Sequence, residues 1–177
     1  MKKLIMTTLI IFTVFSVNIS AEELNNPEKN IQIQFNFTRK IGLASNQFAV
    51  WVENEAGILV KNLFVTDFTA GKGWKKRPES LASWRRTVKD TDIDGISSAT
   101  PKSGKVQLEW DIKNKNGEPV EKGTYKICIE ANIKWENSVL FICEIKIDDT
   151  ITIGEITEKI FGTGYNKQTL ITNVEIQ

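Results

Sequence analysis

The chain has 177 residues, 41% hydrophobic and 25% charged, with a formal net charge of +1. Those proportions suit a globular domain and exclude a disordered or collagenous chain. Histidine is absent and only two cysteines are present. This excludes a Ser-His-Asp triad, a Cys-His nucleophile pair, His-ligated zinc, copper or haem, and an iron–sulfur cluster held by this chain alone.

Lys2 and Lys3 open the chain, residues 4–17 carry no charge, and Asn18-Ile19-Ser20-Ala21 precedes Glu22-Glu23. A basic start, an apolar run and a small-residue junction predict a secretory signal peptide over 1–21 and a mature domain over 22–177. The apolar run is shorter than the ~20 residues of a membrane span; an uncleaved N-terminal anchor is the other reading. Loss of Lys2 and Lys3 turns the net charge to −1, a poor balance for binding nucleic acid. The expected location is the periplasm or the exterior, where a disulfide is permitted.

Residues 31–38 alternate Ile31, Ile33, Phe35 and Phe37 with polar side chains, which predicts a strand with one buried face. Residues 47–53 and 58–66 read as strands joined by the turn Asn54-Glu55-Ala56-Gly57. The stretch 67–104 breaks the pattern. Within this irregular insert Pro78, followed by Leu81, Trp84 and Val88, suits a helix of about three turns. Long excursions inside compact domains are usually functional or disordered, and Trp74 and Trp84 argue for order. Residues 105–112 alternate through Val106, Leu108 and Trp110, and 114–119 form a dense turn signal around Asn116-Gly117. Residues 125–133 and 139–147 pair around 134–138, and 150–155 and 169–176 complete about eight strands. The expectation is an all-β antiparallel sandwich in a single domain.

Cys128 and Cys143 fall on the two strands of one hairpin. A symmetric even loop places them opposite each other, close enough to bridge. The apolar pattern favours an odd loop: Tyr125, Ile127, Ile129 and Ala131 then share a face with Val139, Phe141, Cys143 and Ile145. That register puts the two sulfurs on opposite sides of the sheet.

Trp110-Asp111, then Asn116-Gly117-Glu118-Pro119-Val120, then Gly123-Thr124-Tyr125 resembles a signature of bacterial immunoglobulin-like modules. The resemblance implies an immunoglobulin-like β-sandwich and says nothing about chemistry.

Asp94-Gly95-Ile96-Ser97-Ser98-Ala99-Thr100-Pro101 reads from its residues as a loop. Its spacing resembles the site at which a flavin transferase attaches FMN to exported redox proteins: Asp, two residues, Ser or Thr, usually Gly, then Ala-Thr. Asp94, Ser97, Ala99 and Thr100 match, and Ser98 stands where glycine is usual. Together with Val50-Trp51-Val52-Glu53, the segment 57–64, the Trp84-containing insert and Gly123-Thr124-Tyr125, the chain resembles a family of predicted periplasmic proteins of unknown function. Members of that family tend to occur with PepSY-domain membrane proteins and flavin transferases. The resemblance implies FMN as a covalent cofactor on Thr100, with Asp94, Ser97 and Ala99 shaping the attachment loop. It implies a flavin transferase and a membrane redox protein as partners.

Lys72, Lys75, Lys76, Arg77, Arg85, Arg86 and Lys89 lie near one another in the insert, suited to a phosphate, and Trp74, Trp84 or Trp51 to stacking on a flavin ring. The same residues equally suit a solvated face and a sandwich core. Two other functions remain open: a non-redox binding or assembly module, and a hydrolase pairing Glu53 with Glu130 or Asp111.

Overall fold

The computed structural model describes residues 30–42, 45–89, 97–134, 137–162 and 170–177. The expected signal peptide, 1–21, lies outside the described residues. The described residues form nine strands: β1 (Ile31–Phe37), β2 (Gln47–Asn54), β3 (Leu59–Thr66), β4 (Ser97–Ser98), β5 (Gly104–Trp110), β6 (Gly123–Lys134), β7 (Asn137–Ile147), β8 (Ile151–Phe161) and β9 (Ile171–Ile176). They form a three-stranded sheet, β5-β1-β9, and a six-stranded sheet, β4-β3-β2-β6-β7-β8. Every pairing is antiparallel except that of β3 with β4. The fold is an all-β sandwich. The strand not among those expected, β4, is formed by part of the motif that its residues alone present as a loop.

The alternation in β1 does what its period dictates. Ile31, Ile33, Phe35 and Phe37 are buried, while Gln32 and Asn36 face solvent. They pack on Phe48, Val50 and Val52 of β2 and on Tyr125, Ile127, Ile129 and Ala131 of β6. Phe48 joins the two layers, edge-on to Phe35 at 5.6 Å and stacked on Phe64 at 4.7 Å. At one end Trp110 lies 5.6 Å from Tyr125, and its indole N–H donates to the Lys113 carbonyl at 3.0 Å. The Tyr125 hydroxyl donates to the Glu121 carbonyl at 2.7 Å, a corner device of β-sandwiches.

The second layer of burial explains β2. Its run Phe48-Ala49-Val50-Trp51-Val52 is buried without a break, because both of its faces are covered. The inner face meets the three-stranded sheet. The outer face carries Ala49 and Trp51, which join Val65, Trp74, Leu81, Trp84, Val88, Cys128 and Leu140 in a separate core. The insert supplies the cover through α1 (Asp67–Ala70), a 3-10 turn (Gly73–Lys75) and α2 (Ala82–Thr87).

The helix expected from Pro78 for about three turns is shorter than that. Residues 78–81 form a turn, and α2 begins only at Ala82. Leu81 adopts φ +52°, a left-handed conformation that interrupts the helix, and it is fully buried. Burial of a leucine contributes about 1.5–3 kcal/mol, enough to offset the ~1–3 kcal/mol cost of that backbone conformation.

β8 also runs past its expected end at 155. Gly154 sits at a register shift opposite Cys143 and Ile145, where a Cβ would stand 3.0 Å from the Glu144 carbonyl. The strand passes this bulge and continues along the sheet edge.

The β6–β7 register pairs Ile127 with Cys143 and Cys128 with Ile142. Cys143 therefore points into the inner core and Cys128 into the outer one, and both thiols are free.

Candidate functional site

Thr100 follows β4 and precedes β5, and its position is set from two sides. Ser97 and Ser98 pair in parallel with Val65 and Thr66 at the end of β3. Beyond Thr100, the Ser103 hydroxyl accepts the Arg39 backbone N–H at 2.9 Å, tying this connection to the end of β1. Between these ties Ala99 is exposed and Thr100 is half-buried. Asp94 lies outside the described residues.

The other wall is the connection from β1 to β2. The Asn46 side chain clasps Lys40, accepting its backbone N–H at 2.7 Å and donating to its carbonyl at 2.9 Å. Asn46 itself is at φ +53°, a conformation that asparagine tolerates well. The backbone N–H of Ser45 donates to the Ile133 carbonyl at 2.7 Å, anchoring the connection to β6.

Between the two connections lies an open cleft of about 640 Å3, with Thr100 on its wall. That volume falls within the ~300–1,000 Å3 of small-molecule sites. Arg39, Lys40 and Lys102 line it, with the polar side chains of Ser45, Asn46, Gln47 and Ser103, and none of its described lining residues is acidic. Ile41, fully exposed, is its largest apolar group. The Ser45 hydroxyl oxygen is buried there without a hydrogen-bond partner.

The insert residues are placed elsewhere. Trp84 is fully buried, its indole N–H donating to Asn62 Oδ1 at 2.9 Å. Trp74 is 9% exposed, and the Arg85 guanidinium covers its ring at 4.4 Å while donating to the Val88 carbonyl at 2.7 Å. Trp51 lies in the same outer core. None of these four residues, and none of Lys72, Lys75, Lys76, Arg77, Arg86 and Lys89, lines the cleft at Thr100. The cations that do line it are Arg39, Lys40 and Lys102, which sequence reasoning missed. Lys102 stands two residues after Thr100, but Arg39 and Lys40 reach the site only through the sandwich topology.

The carboxylates are also committed. Glu130 is 1% exposed, and its two oxygens accept the Ser83 and Trp84 backbone N–H groups at 3.2 and 2.8 Å. Asp111 pairs with Lys61 Nζ at 2.7 Å. Glu53 is opposite Lys126 and Glu130 opposite Ala49, so the two glutamates are about 13 Å apart along the strands.

A second cleft, of about 590 Å3, lies between α2 and the β7–β8 edge, lined in part by Glu53, Arg86, Lys126, Ile142 and Lys159. Lys126 faces Glu53 and Glu144 in the strand register, and Arg86 acts on the Glu130 carboxylate. This cleft includes a carboxylate, Glu53, in its lining, in contrast to the one at Thr100.

A family model described as "Predicted periplasmic protein (DUF2271)" matches residues 28–167. The chain belongs to this family. That membership places it in the periplasm, and the matched residues cover β1 to β8, the insert and the cleft. Searches of the curated proteins and of the solved structures found no match. No helix among the described residues is long and apolar enough to cross a membrane.

Proposed function

We propose that this DUF2271 protein is a periplasmic electron carrier that holds FMN covalently on Thr100. The observation that carries the reading is the half-buried Thr100 on the wall of a 640 Å3 cleft rather than inside either core. The motif resemblance supplies the cofactor. Its fit rests on an available hydroxyl, adjoining space and three cations beside it. A flavin transferase and a membrane redox protein, such as a PepSY-domain protein, are the corresponding partners.

Attachment asks little of this chain beyond presentation. The Thr100 hydroxyl oxygen attacks the phosphorus of the FMN half of FAD, held by the transferase. A phosphoester bond forms and the pyrophosphate bond to AMP breaks. AMP leaves with the bonding electron pair, and the hydroxyl proton passes to a base of the transferase. The small exposed Ala99 leaves room for that approach. Once attached, FMN supplies the redox chemistry. The sandwich supplies a rigid anchor that keeps the cofactor from diffusing away.

The test is transfer with purified components. The mature protein, incubated with FAD and a flavin transferase, gains the mass of an FMN phosphoester and turns yellow. Thr100→Ala abolishes both, and Thr100→Ser, which keeps a hydroxyl, retains them. Equal gain by Thr100→Ala overturns the assignment. A protein that stays colourless and unmodified fits instead a non-redox binding or assembly module.

A further inference from the structure

We propose that Arg39, Lys40 and Lys102, with the Ser45 hydroxyl, form a phosphate subsite beside Thr100, built to hold the phosphoryl end of a flavin mononucleotide. The identity of the ligand rests on the reading of Thr100; the subsite itself rests on the cleft.

Three observations converge. First, three cations line one cleft with no acidic side chain among its described lining residues. Like charges gathered this way repel one another, and a bound anion relieves that repulsion. Lys61 and Lys122, by contrast, are paired with carboxylates, those of Asp111 and Asp148. Second, the segment bearing Arg39 and Lys40 is held in place. Asn46 clasps the Lys40 backbone, and Ser103 holds that of Arg39. Those bonds use backbone groups, so the cationic ends of both side chains remain available. Third, the Ser45 hydroxyl oxygen is a buried polar atom without a partner on the same wall. Such atoms are rare in native proteins, and a phosphate oxygen accepts a hydrogen bond from a hydroxyl. The chemistry of the set is that of a phosphate: several donors and positive charge around one compact anion.

The experiment uses the mature protein made without a transferase, so that Thr100 carries nothing. FMN and riboflavin, which differ only in the phosphate, are titrated separately at low salt, with flavin fluorescence as the readout. FMN binds at least tenfold more tightly than riboflavin. The gap closes in R39Q/K102Q and narrows as salt rises, while K72Q/K75Q on the insert leaves it unchanged. Arg39 and Lys102 are exposed, so folding should survive; K40Q/K102Q serves if it does not. Equal binding of the two flavins, no saturable FMN binding, or a gap untouched by R39Q/K102Q overturns the subsite. Its fate is separable from that of the reading. A retained gap in a chain that never gains covalent FMN sustains the subsite and removes the carrier. A missing gap in a chain modified at Thr100 does the reverse.

Discussion

The backbone N–H of Trp84 donates to Glu130 Oε2 at 2.8 Å, so that a strand residue caps the start of a helix far from it in sequence. Ser83 donates to the other oxygen of the same carboxylate at 3.2 Å. The helix has no side-chain cap of its own, and its first N–H groups need an acceptor. Glu130 fixes α2 to β6 and thereby closes the outer core over Trp51 and Cys128. We predict that Glu130→Ala costs about 2–4 kcal/mol, because it leaves two buried donors without a partner. Chemical denaturation measures this; a cost below about 0.5 kcal/mol contradicts it.

The same residue sets a pH dependence. Burial raises the Glu130 pKa above 4.5, against the N–H groups of Trp84 and Ser83 that lower it. The folded state therefore holds this proton more tightly than the unfolded chain. The resulting stability is fully present below pH ~4.5 and is lost as pH rises through the folded-state pKa. Glu130→Gln cannot titrate. The stability of the wild type minus that of Glu130→Gln should fall with rising pH; a difference that stays flat or rises contradicts this.

Asp111 has the opposite sign. Burial pushes its carboxyl up, but the Lys61 side chain and the Lys113 N–H together hold it below 3.8. Its contribution is present above pH ~3.8 and is lost as pH falls through the folded-state pKa. Asp111→Asn should flatten the acid limb of stability and cost at most about 1 kcal/mol near neutrality, as the pair is partly exposed. An unchanged acid limb contradicts the pairing.

The expected β1, β2, β3 and β5 are strands within a residue or two of their predicted limits, because alternation and turn chemistry are local signals. The unbroken run 48–52 held more than that: it signals a strand covered on both faces, and the insert is the cover. The length of α2 was not legible, since nothing local marks Leu81 as left-handed; its conformation is imposed by the outer core. The continuation of β8 past Gly154 depends on a bulge fitted to β7. At the candidate site, the hydroxyl is readable from a motif. Its cationic surroundings are not, because Arg39 and Lys40 come from a connection brought there only when the two sheets close.

Gly73 marks the tightest packing in the insert. A Cβ there would stand 2.2 Å from the Phe68 carbonyl oxygen and 2.5 Å from its ring. Gly73→Ala should cost about 1–3 kcal/mol. Gly123→Ala, whose nearest atom would be 3.8 Å away, should be tolerated. Comparable thermal midpoints for the two variants contradict this packing.

The thiols should be silent in the folded protein. Burial pushes the Cys128 thiol far above its usual range and raises Cys143 as well, leaving little thiolate to react. An Ellman-type reagent should label neither cysteine in the native state and both after unfolding without reductant. Rapid native labelling, or silence after unfolding, contradicts the placement of the sulfurs on opposite sides of the sheet.

The most direct measurement is the mass of the natively exported protein, followed by mapping of the peptide that contains Thr100. This peptide should carry FMN as a phosphoester on the threonine oxygen, and a Thr100→Ala chain should be exported with its unmodified mass. An exported wild-type chain without the added mass, isolated beside an active flavin transferase, contradicts it, as does FMN found on any other residue.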